Sequence, residues 1–251
     1  MTVAPPQPSQ LASRRRRAAI IIAHRGASAV APESTRAAIR AAIRAGARMI
    51  ELDVQMTRDR RLVVFHDDQL KRTTNGSGRL RTRRYAEVAQ LDAGSWFHRR
   101  FAGEKVLTVS QAIHLIPQRM RINLELKRTS QRRALLGRFV RVVQWTRARR
   151  RLLVSSFDPS LLKPLCRRFA CALLCRRRPE HALRQAVRLG CTAWHPHVSA
   201  VTPRRIRRAH RAGLAVNVWV VDDPRRARQL IRWGADGIFT NNPARLRAVM
   251  G

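Results

Sequence analysis

The stretch IELDVQMTRDRRLVVFHD, from Ile50 to Asp67, holds two apolar, β-branched runs around a polar turn at Arg58 to Arg61. The connection is far too short for a parallel crossover, so it predicts an antiparallel β-hairpin. A ladder centred near Asp59 and Arg60 sets Asp53 opposite His66, and Glu51 and Asp53, two apart, share one strand face. Two carboxylates and an imidazole then converge on one spot. Carboxylate oxygens suit a hard divalent cation, and an imidazole beside it can move protons. The hairpin taken alone is equally compatible with charges that face solvent.

A second segment shifts that balance. In IIIAHRGASAVAPEST, Ile20 to Thr35, a buried-looking strand ends abruptly in His24, Arg25 and Gly26. The order is then an apolar strand, His24-Arg25-Gly26, Pro32-Glu33-Ser34-Thr35, a helix, Glu51-x-Asp53 and His66-Asp67. With this order and spacing the chain resembles the glycerophosphodiester phosphodiesterase family, one of the phosphatidylinositol phospholipase C-like phosphodiesterase barrels. LKRTTNGSGRL (Leu70 to Leu80) and FAGEKVLTV (Phe101 to Val109) look like the family's small insertion. Farther on come NLELK (Asn123 to Lys127), SSF (Ser155 to Phe157), a strand ending near Trp219, and GADGIFTNNP (Gly234 to Pro243). Only residues 1–17 fall clearly outside the resemblance. Three positions depart from the family's habit: Ser34 stands for a usual Asn, Leu107 for a usual Pro and Asn241 for a common Asp.

Composition bounds the answer independently. With 251 residues, 45% of them hydrophobic, the chain can bury one full α/β barrel core. No apolar run reaches the roughly 18 residues of a membrane span. The Arg14 to Arg17 cluster precedes an apolar run too short for a signal-peptide core, with no small-residue cleavage site after it, so a cytoplasmic location is expected. Cys166, Cys171, Cys175 and Cys191 form no Cys-x-x-Cys pair and read as reduced, partly buried thiols, ahead of a metal site or disulfide framework. Lys plus Arg total 52 against 15 acidic residues, a formal charge of +37, and Lys occurs only at Lys71, Lys105, Lys127 and Lys163. Such a field attracts phosphodiesters, nucleic acid and anionic lipid surfaces. The Arg residues are spread along the whole sequence, which favours a general Arg bias over a dedicated nucleic-acid module. Against that background, Glu51, Asp53, Asp67 and Glu125 at or beside strand ends look placed.

In chain order, residues 1–17 read as a disordered basic tail, followed by one domain over residues 18–251. Strands are expected at Ala19 to Ala23, Arg48 to Val54, Arg121 to Leu126, Leu152 to Ser155, Ala170 to Leu174, Thr192 to His195, Ala215 to Val221 and Gly237 to Thr240. Helices between them, Ser130 to Arg147 and Pro159 to Arg168 among them, imply parallel βαβ units. Eight strands make a (β/α)₈ TIM barrel, with Leu62 to Phe65 as an extra antiparallel arm. Residues 68–106 lose the barrel rhythm and read as a small inserted lobe, with a short helix near Tyr85 to Leu91. The lobe either shapes the pocket for the substrate's alcohol or only caps the barrel. Barrel chemistry sits at the strand carboxyl ends, so His24, Glu51, Asp53, Glu125, Trp219 and Thr240 are expected around one opening.

Glu51, Asp53 and Glu125 would supply oxygens to one divalent cation, Mg²⁺ or Ca²⁺, and the family resemblance points to the same three. Alternation puts Glu125 and Lys127 on one face, so Lys127 can reach a phosphate oxygen, and the planar fork of Arg25 suits two. His24 and His66 remain as the proton-transfer pair, with their roles unassigned. His98, His114, His181 and His210 read as surface or packing residues, while His195 and His197 close a strand near the opening. Trp219 either packs against glycerol carbons or fills the barrel mouth. Glu33 either orients Arg25 or a metal ligand, or is a helix-start charge; Asp67 reads as a supporting group beside His66. The resemblance implies metal-dependent cleavage of a glycerophosphodiester to sn-glycerol 3-phosphate and an alcohol. The alternatives are a phospholipase D-like enzyme cleaving lysophospholipid at membranes and an Arg-rich nucleic-acid-binding protein on an inactive barrel.

Overall fold

The structure, a computed structural model, describes residues 18–250, with side chains described through residue 248. The predicted disordered tail, residues 1–17, lies outside the described residues. Strand β1 (Ile20–Ala23) leads through helix α1 (Arg36–Arg44) into β2 (Met49–Met56) and its hairpin partner β3 (Leu62–Val64). A lobe carrying α2 (Tyr85–Gln90) and then α3 (Val109–Leu115) precede β4 (Arg121–Leu126), α4 (Arg132–Trp145), β5 (Leu152–Ser156) and α5 (Pro159–Leu162). The alternation continues with β6 (Ala170–Cys175), α6 (Pro179–Leu189), β7 (Ala193–Pro196) and α7 (Pro203–Arg211). It ends with β8 (Ala215–Val218), α8 (Pro224–Trp233), β9 (Gly237–Thr240) and α9 (Pro243–Met250). Strand β1 pairs in parallel with both β2 and β9, so the series β1-β9-β8-β7-β6-β5-β4-β2 closes on itself. The fold is the (β/α)₈ barrel that the strand count implied, with β3 added antiparallel to β2.

Period-two alternation builds the layers. Ile50, Leu52 and Val54 of β2 and Ile122, Leu124 and Leu126 of β4 pack outward into the core beneath the helices. Ile22, Met49, Leu153, Ala172, Ala193 and Phe239 form a separate cluster, and the residues alternating with the outward set carry Glu51, Asp53, Asn123 and Glu125 into the barrel. Helix starts repeat one device: Thr202 and Asp223 cap α7 and α8 with their side chains, each just ahead of a proline. Asp158-Pro159 starts α5 the same way, but α5 stops at Leu162 and not at the expected Arg168. Pro164 has no N–H to continue the ladder. One arginine is structural: Arg151, 9% exposed, donates to the carbonyls of Ile113, Ile116 and Pro117 at the end of α3.

The hairpin register differs by one residue from the expected one. Val54 lies opposite Val64 and Met56 opposite Leu62, so the backbone facing Asp53 belongs to Phe65, whose N–H donates to the Asp53 carbonyl at 3.0 Å. The turn is a three-residue loop centred on Asp59, closed by bonds between Thr57 and Arg61, with Arg60 left-handed at φ 62°. His66 therefore reaches the opening from beyond the ladder and not as a cross-strand partner of Asp53.

The lobe has its own small core of Val63, Phe65, Leu70, Leu80, Val88, Ala93 and Val106. Two of these, Val63 and Phe65, come from β3 and its end, so the arm is the seat on which residues 68–106 rest. Arg60 is exposed, and a non-glycine residue in the left-handed region costs about 1–2 kcal/mol, against roughly 0.5–1 kcal/mol of extra chain entropy for glycine. Arg60→Gly should therefore raise unfolding stability by about 0.5 kcal/mol, read as a higher urea midpoint at unchanged slope. A lower midpoint would show that Arg60 contributes contacts that outweigh its backbone cost.

Candidate active site

The chain turns sharply where β1 ends. Arg25 at φ 55° and Gly26 at φ 83° are both left-handed, and a Cβ at Gly26 would stand 2.7 Å from the Ala38 backbone of α1. This turn aims the Arg25 N–H at Glu51 Oε2 (2.9 Å), its Nη1 at Glu33 Oε1 (2.9 Å) and its Nε at Asp53 Oδ2 (3.2 Å). Glu33 lies two residues before the Thr35 cap of α1, outside its first turn, and its carboxylate pairs with Arg25. Ser34 is left-handed as well, at φ 62°, a conformation that asparagine tolerates best, which accounts for the residue type usual there.

Glu51 and Asp53 on β2 and Glu125 on β4, with Asp53 directly beside Glu125, offer oxygens that all lie within 4.8 Å of one another. All three are buried, and Lys127 spans two of them, donating to Glu125 Oε1 at 2.9 Å and to Asp53 Oδ1 at 3.2 Å. Glu51 Oε1 is buried with no hydrogen-bond partner, and Asp53 Oδ2 has only the ion contact with Arg25 Nε, whose geometry makes no hydrogen bond. Burial first, then the charges of Asp53 and Glu125, push Glu51 well above the usual carboxyl range; burial and Asp53 push Glu125 to about 7. Burial would raise Asp53 too, but Lys127, Arg25 and the two imidazoles outweigh it and hold it low. Crowded carboxylates with oxygens that accept no hydrogen bond fit a divalent cation, which would remove the repulsion that now keeps protons on the site.

Two histidines flank this cluster. Burial, reinforced by Arg25, lowers His24 to about 4. Its Nδ1 meets Asn241 Oδ1 at 2.8 Å, while Asn241 Nδ2 donates to Asp222 Oδ2 at 2.7 Å. Because a carboxylate only accepts, the amide orientation is fixed, Nδ1 carries the proton, and Nε2, 4.0 Å from Glu51 Oε2, keeps its lone pair. On the other side His66 Nδ1 meets Asp67 Oδ1 at 2.5 Å. Gln55 Nε2 donates to the carbonyls of Phe65, His66 and Asp67 and so fixes the backbone that presents His66.

The sequence reading missed Asn241 as a partner of His24, along with Asp222, Gln55 and Arg72. Gln55 could have been found, since it shares the face of Glu51 and Asp53 on β2. Thr240 is buried and gives its hydroxyl to Asp222 (2.7 Å). Trp219, just past β8, is half-buried, donates to the His195 carbonyl and meets the rings of Phe157 and His197 edge-on. His197 thus stands at the mouth, whereas His195 is fully buried against Asn217 and Phe239. His98 caps a backbone N–H, His114 packs on Trp145 and His210 pairs with Asp236.

Residues 24–245 match the model of the glycerophosphoryl diester phosphodiesterase family. The chain belongs to this family. A glycerophosphodiester phosphodiesterase of Caldanaerobacter subterraneus is 32% identical over 90% of this chain and 96% of its own. Among solved structures, an Oleispira antarctica phosphodiesterase in complex with the product sn-glycerol 3-phosphate superposes with a TM-score of 0.85 at 31% identity, covering 92% of this chain and 96% of that one. The glycerophosphodiester phosphodiesterase of Agrobacterium tumefaciens gives 0.80 at 28% identity, over 92% and 100%. The protein is thus an enzyme of the phosphoric diester hydrolase class. Among the described residues no helix is long and apolar enough to cross a membrane.

The raised carboxyls make a stability prediction. Glu125 titrates at about 7 folded against an ordinary 4.5, so the folded chain holds the extra proton between those values and loses stability as pH rises through that window. Glu51 acts in the same direction, while groups held low, such as Asp67 at about 2, act at lower pH. Thermal midpoints in EDTA should fall from pH 4.5 to pH 7 more steeply for the wild type than for Glu125→Gln, and Mg²⁺ or Ca²⁺ should raise the midpoint more at pH 7 than at pH 4.5. Equal slopes in the two proteins would show that Glu125 is already charged at pH 4.5.

Proposed function

We propose that this enzyme hydrolyses glycerophosphodiesters to sn-glycerol 3-phosphate and an alcohol in the cytoplasm, using one divalent cation, Mg²⁺ or Ca²⁺, held by Glu51, Asp53 and Glu125. The observation that supports this reading most is the trio of buried carboxylates flanked by two imidazoles, each with its Nδ1 tied to an acceptor. A bound cation supplies Lewis-acid polarisation of a phosphoryl oxygen and lowers the charge repulsion among its ligands. Arg25 and Lys127 add fixed positive charge beside the same opening and offset charge developing on the phosphoryl group. Both are already oriented by carboxylates, so little reorganisation is needed when the diester enters.

The two imidazoles divide the proton transfers. His24 is neutral at pH 7, with Nε2 unprotonated, so it accepts the proton of the attacking hydroxyl, from a neighbouring glycerol carbon or from water. His66 has the Asp67 carboxylate on Nδ1, which orients the ring and turns Nε2 toward the departing alkoxide as its proton donor. Trp219 and Phe157 form an apolar wall for the carbon skeleton.

A second reading, a lipid-borne diester such as lysophospholipid, is favoured by Val30, Trp96 and Phe157, large apolar residues 40–47% exposed on segments at or near the catalytic end. Release from micellar but not soluble diesters would select it. Tight, salt-sensitive RNA binding unaffected by Glu51→Ala would instead favour the nucleic-acid reading.

The test is release of glycerol 3-phosphate from glycerophosphocholine. EDTA and Glu51→Ala should each abolish it, with activity returning in the wild type on adding Mg²⁺ or Ca²⁺. His24→Ala should lose activity on every substrate, by about 10²–10⁴-fold. His66→Ala should lose it on glycerophosphocholine yet keep most of it on a p-nitrophenyl diester, whose leaving group needs no proton. If His24→Ala is the variant spared by the p-nitrophenyl substrate, the two roles are reversed.

A further inference from the structure

Arg72 belongs to the first turn of the inserted lobe, where its backbone is pinned on both sides. Leu70 is buried in the lobe core, Thr73 and Thr74 are buried behind it, and Thr74 donates to the Leu70 carbonyl. Its guanidinium grips two carboxylates from different parts of the chain. Nη1 and Nη2 donate to Glu33 Oε2 and Oε1 at 2.9 and 2.7 Å; Nε and Nη2 donate to the two oxygens of Asp67.

An arginine has five N–H donors, and four of these are used here in two forks. A phosphate would find a single N–H free, so substrate binding does not account for the arrangement. An ordinary surface ion pair does not account for it either. Such pairs contribute little, but each of these two carboxylates also holds a residue of the opening. Glu33 Oε1 receives Arg25 Nη1 at 2.9 Å, and Asp67 Oδ1 meets His66 Nδ1 at 2.5 Å. The contacts form one continuous line, from His66 through Asp67, Arg72, Glu33 and Arg25 to Asp53.

We infer that Arg72 is a positioning residue, a strut by which the inserted lobe fixes Arg25 on one side of the opening and the orientation of His66 on the other. The inference rests on the proposed function for its kinetic consequences and on the hydrogen bonds alone for its structural one. The lobe acquires a role distinct from capping the barrel or shaping the alcohol pocket. Without the strut, Glu33 and Asp67 keep their charges but lose their common partner, and the ring of His66 is no longer held to one tautomer.

The experiment compares Arg72→Ala and Arg72→Lys with the wild type in full-length, metal-loaded protein. For Arg72→Ala, kcat should fall by about 10–100-fold, as when an outer hydrogen-bond partner is removed, with KM little changed. Guanidinium in solution should restore part of the loss. Arg72→Lys, which restores the charge but not the two forks, should lie between. Independently of turnover, ring ¹⁵N shifts of His66 at high pH should report a proton on Nδ1 in the wild type and a mixture of tautomers in Arg72→Ala. Unchanged kcat per folded molecule, with only a lower thermal midpoint, would overturn the inference. So would a raised KM at constant kcat, since it would mean that Arg72 contacts substrate. If the wild type cleaves no glycerophosphodiester, the proposed function fails, and the ¹⁵N spectra alone decide the strut: an unchanged His66 tautomer in Arg72→Ala overturns it.

Discussion

Three carboxylates buried at one end of a barrel are the constraint around which the remaining parts of this structure are arranged. Ionised together in a low-dielectric site they would repel strongly, and removing each from water carries a desolvation cost of several kcal/mol. The chain answers with two cations, Arg25 and Lys127, each in contact with Asp53. Burial first, and then three negative charges set against only two positive ones, raise the carboxyls of Glu51 and Glu125. On the proposed reading, a divalent ion held there would reverse the sign of the cluster and suit it to an anionic diester.

The composition makes this concentration of acid more telling. Of 15 acidic residues, five (Glu33, Glu51, Asp53, Asp67 and Glu125) line or support the opening. Most of the others do local work that a basic side chain cannot. Asp158 and Asp223 start helices, Asp92 accepts three backbone N–H groups, Glu87 accepts the Arg84 N–H at a helix start and Asp222 orients Asn241. In a chain of such charge an acidic residue has few incidental places to be. The arginines show the converse: Arg151 ends a helix and Arg72 bridges carboxylates, while many others lie on exposed helix faces, so their number alone identifies no partner.

That contrast explains what could be read from the sequence. Barrel strands were legible because fully buried parallel strands are short apolar runs bounded by turn residues, and Glu51, Asp53 and Glu125 stood out as charges placed inside such runs. The helix Val109–Leu115 was legible too, through its Thr108 to Gln111 capping box, yet it went unread between the lobe and the strand expected at Arg121. The hairpin register was not legible, because Arg60 takes a left-handed turn position without the Gly or Asn that signals one. Asn241 and Arg72 were hidden for different reasons. Asn241 acts on a histidine 217 residues away, a pairing that only barrel closure creates. Arg72 is one arginine among many.

The register shift also separates two kinds of support. The direction in which Glu51 and Asp53 point is set by the parallel neighbours β1 and β4, which hold β2 along its first six residues, whereas β3 pairs only with Val54 to Met56. The carboxylate cluster is therefore a property of the barrel, and so is His24, tied across the closing seam to the residue after β9. His66 is a property of the lobe junction, fixed by Gln55 below it and by the Asp67–Arg72 contact beside it. A site divided this way can change the lobe beyond residue 74 while the charge cluster stays constant, provided that the short span from Phe65 to Thr74 keeps its seat. The lobe side of the opening is then free to diverge without disturbing the buried carboxylates or the Arg25 and Lys127 that contact them.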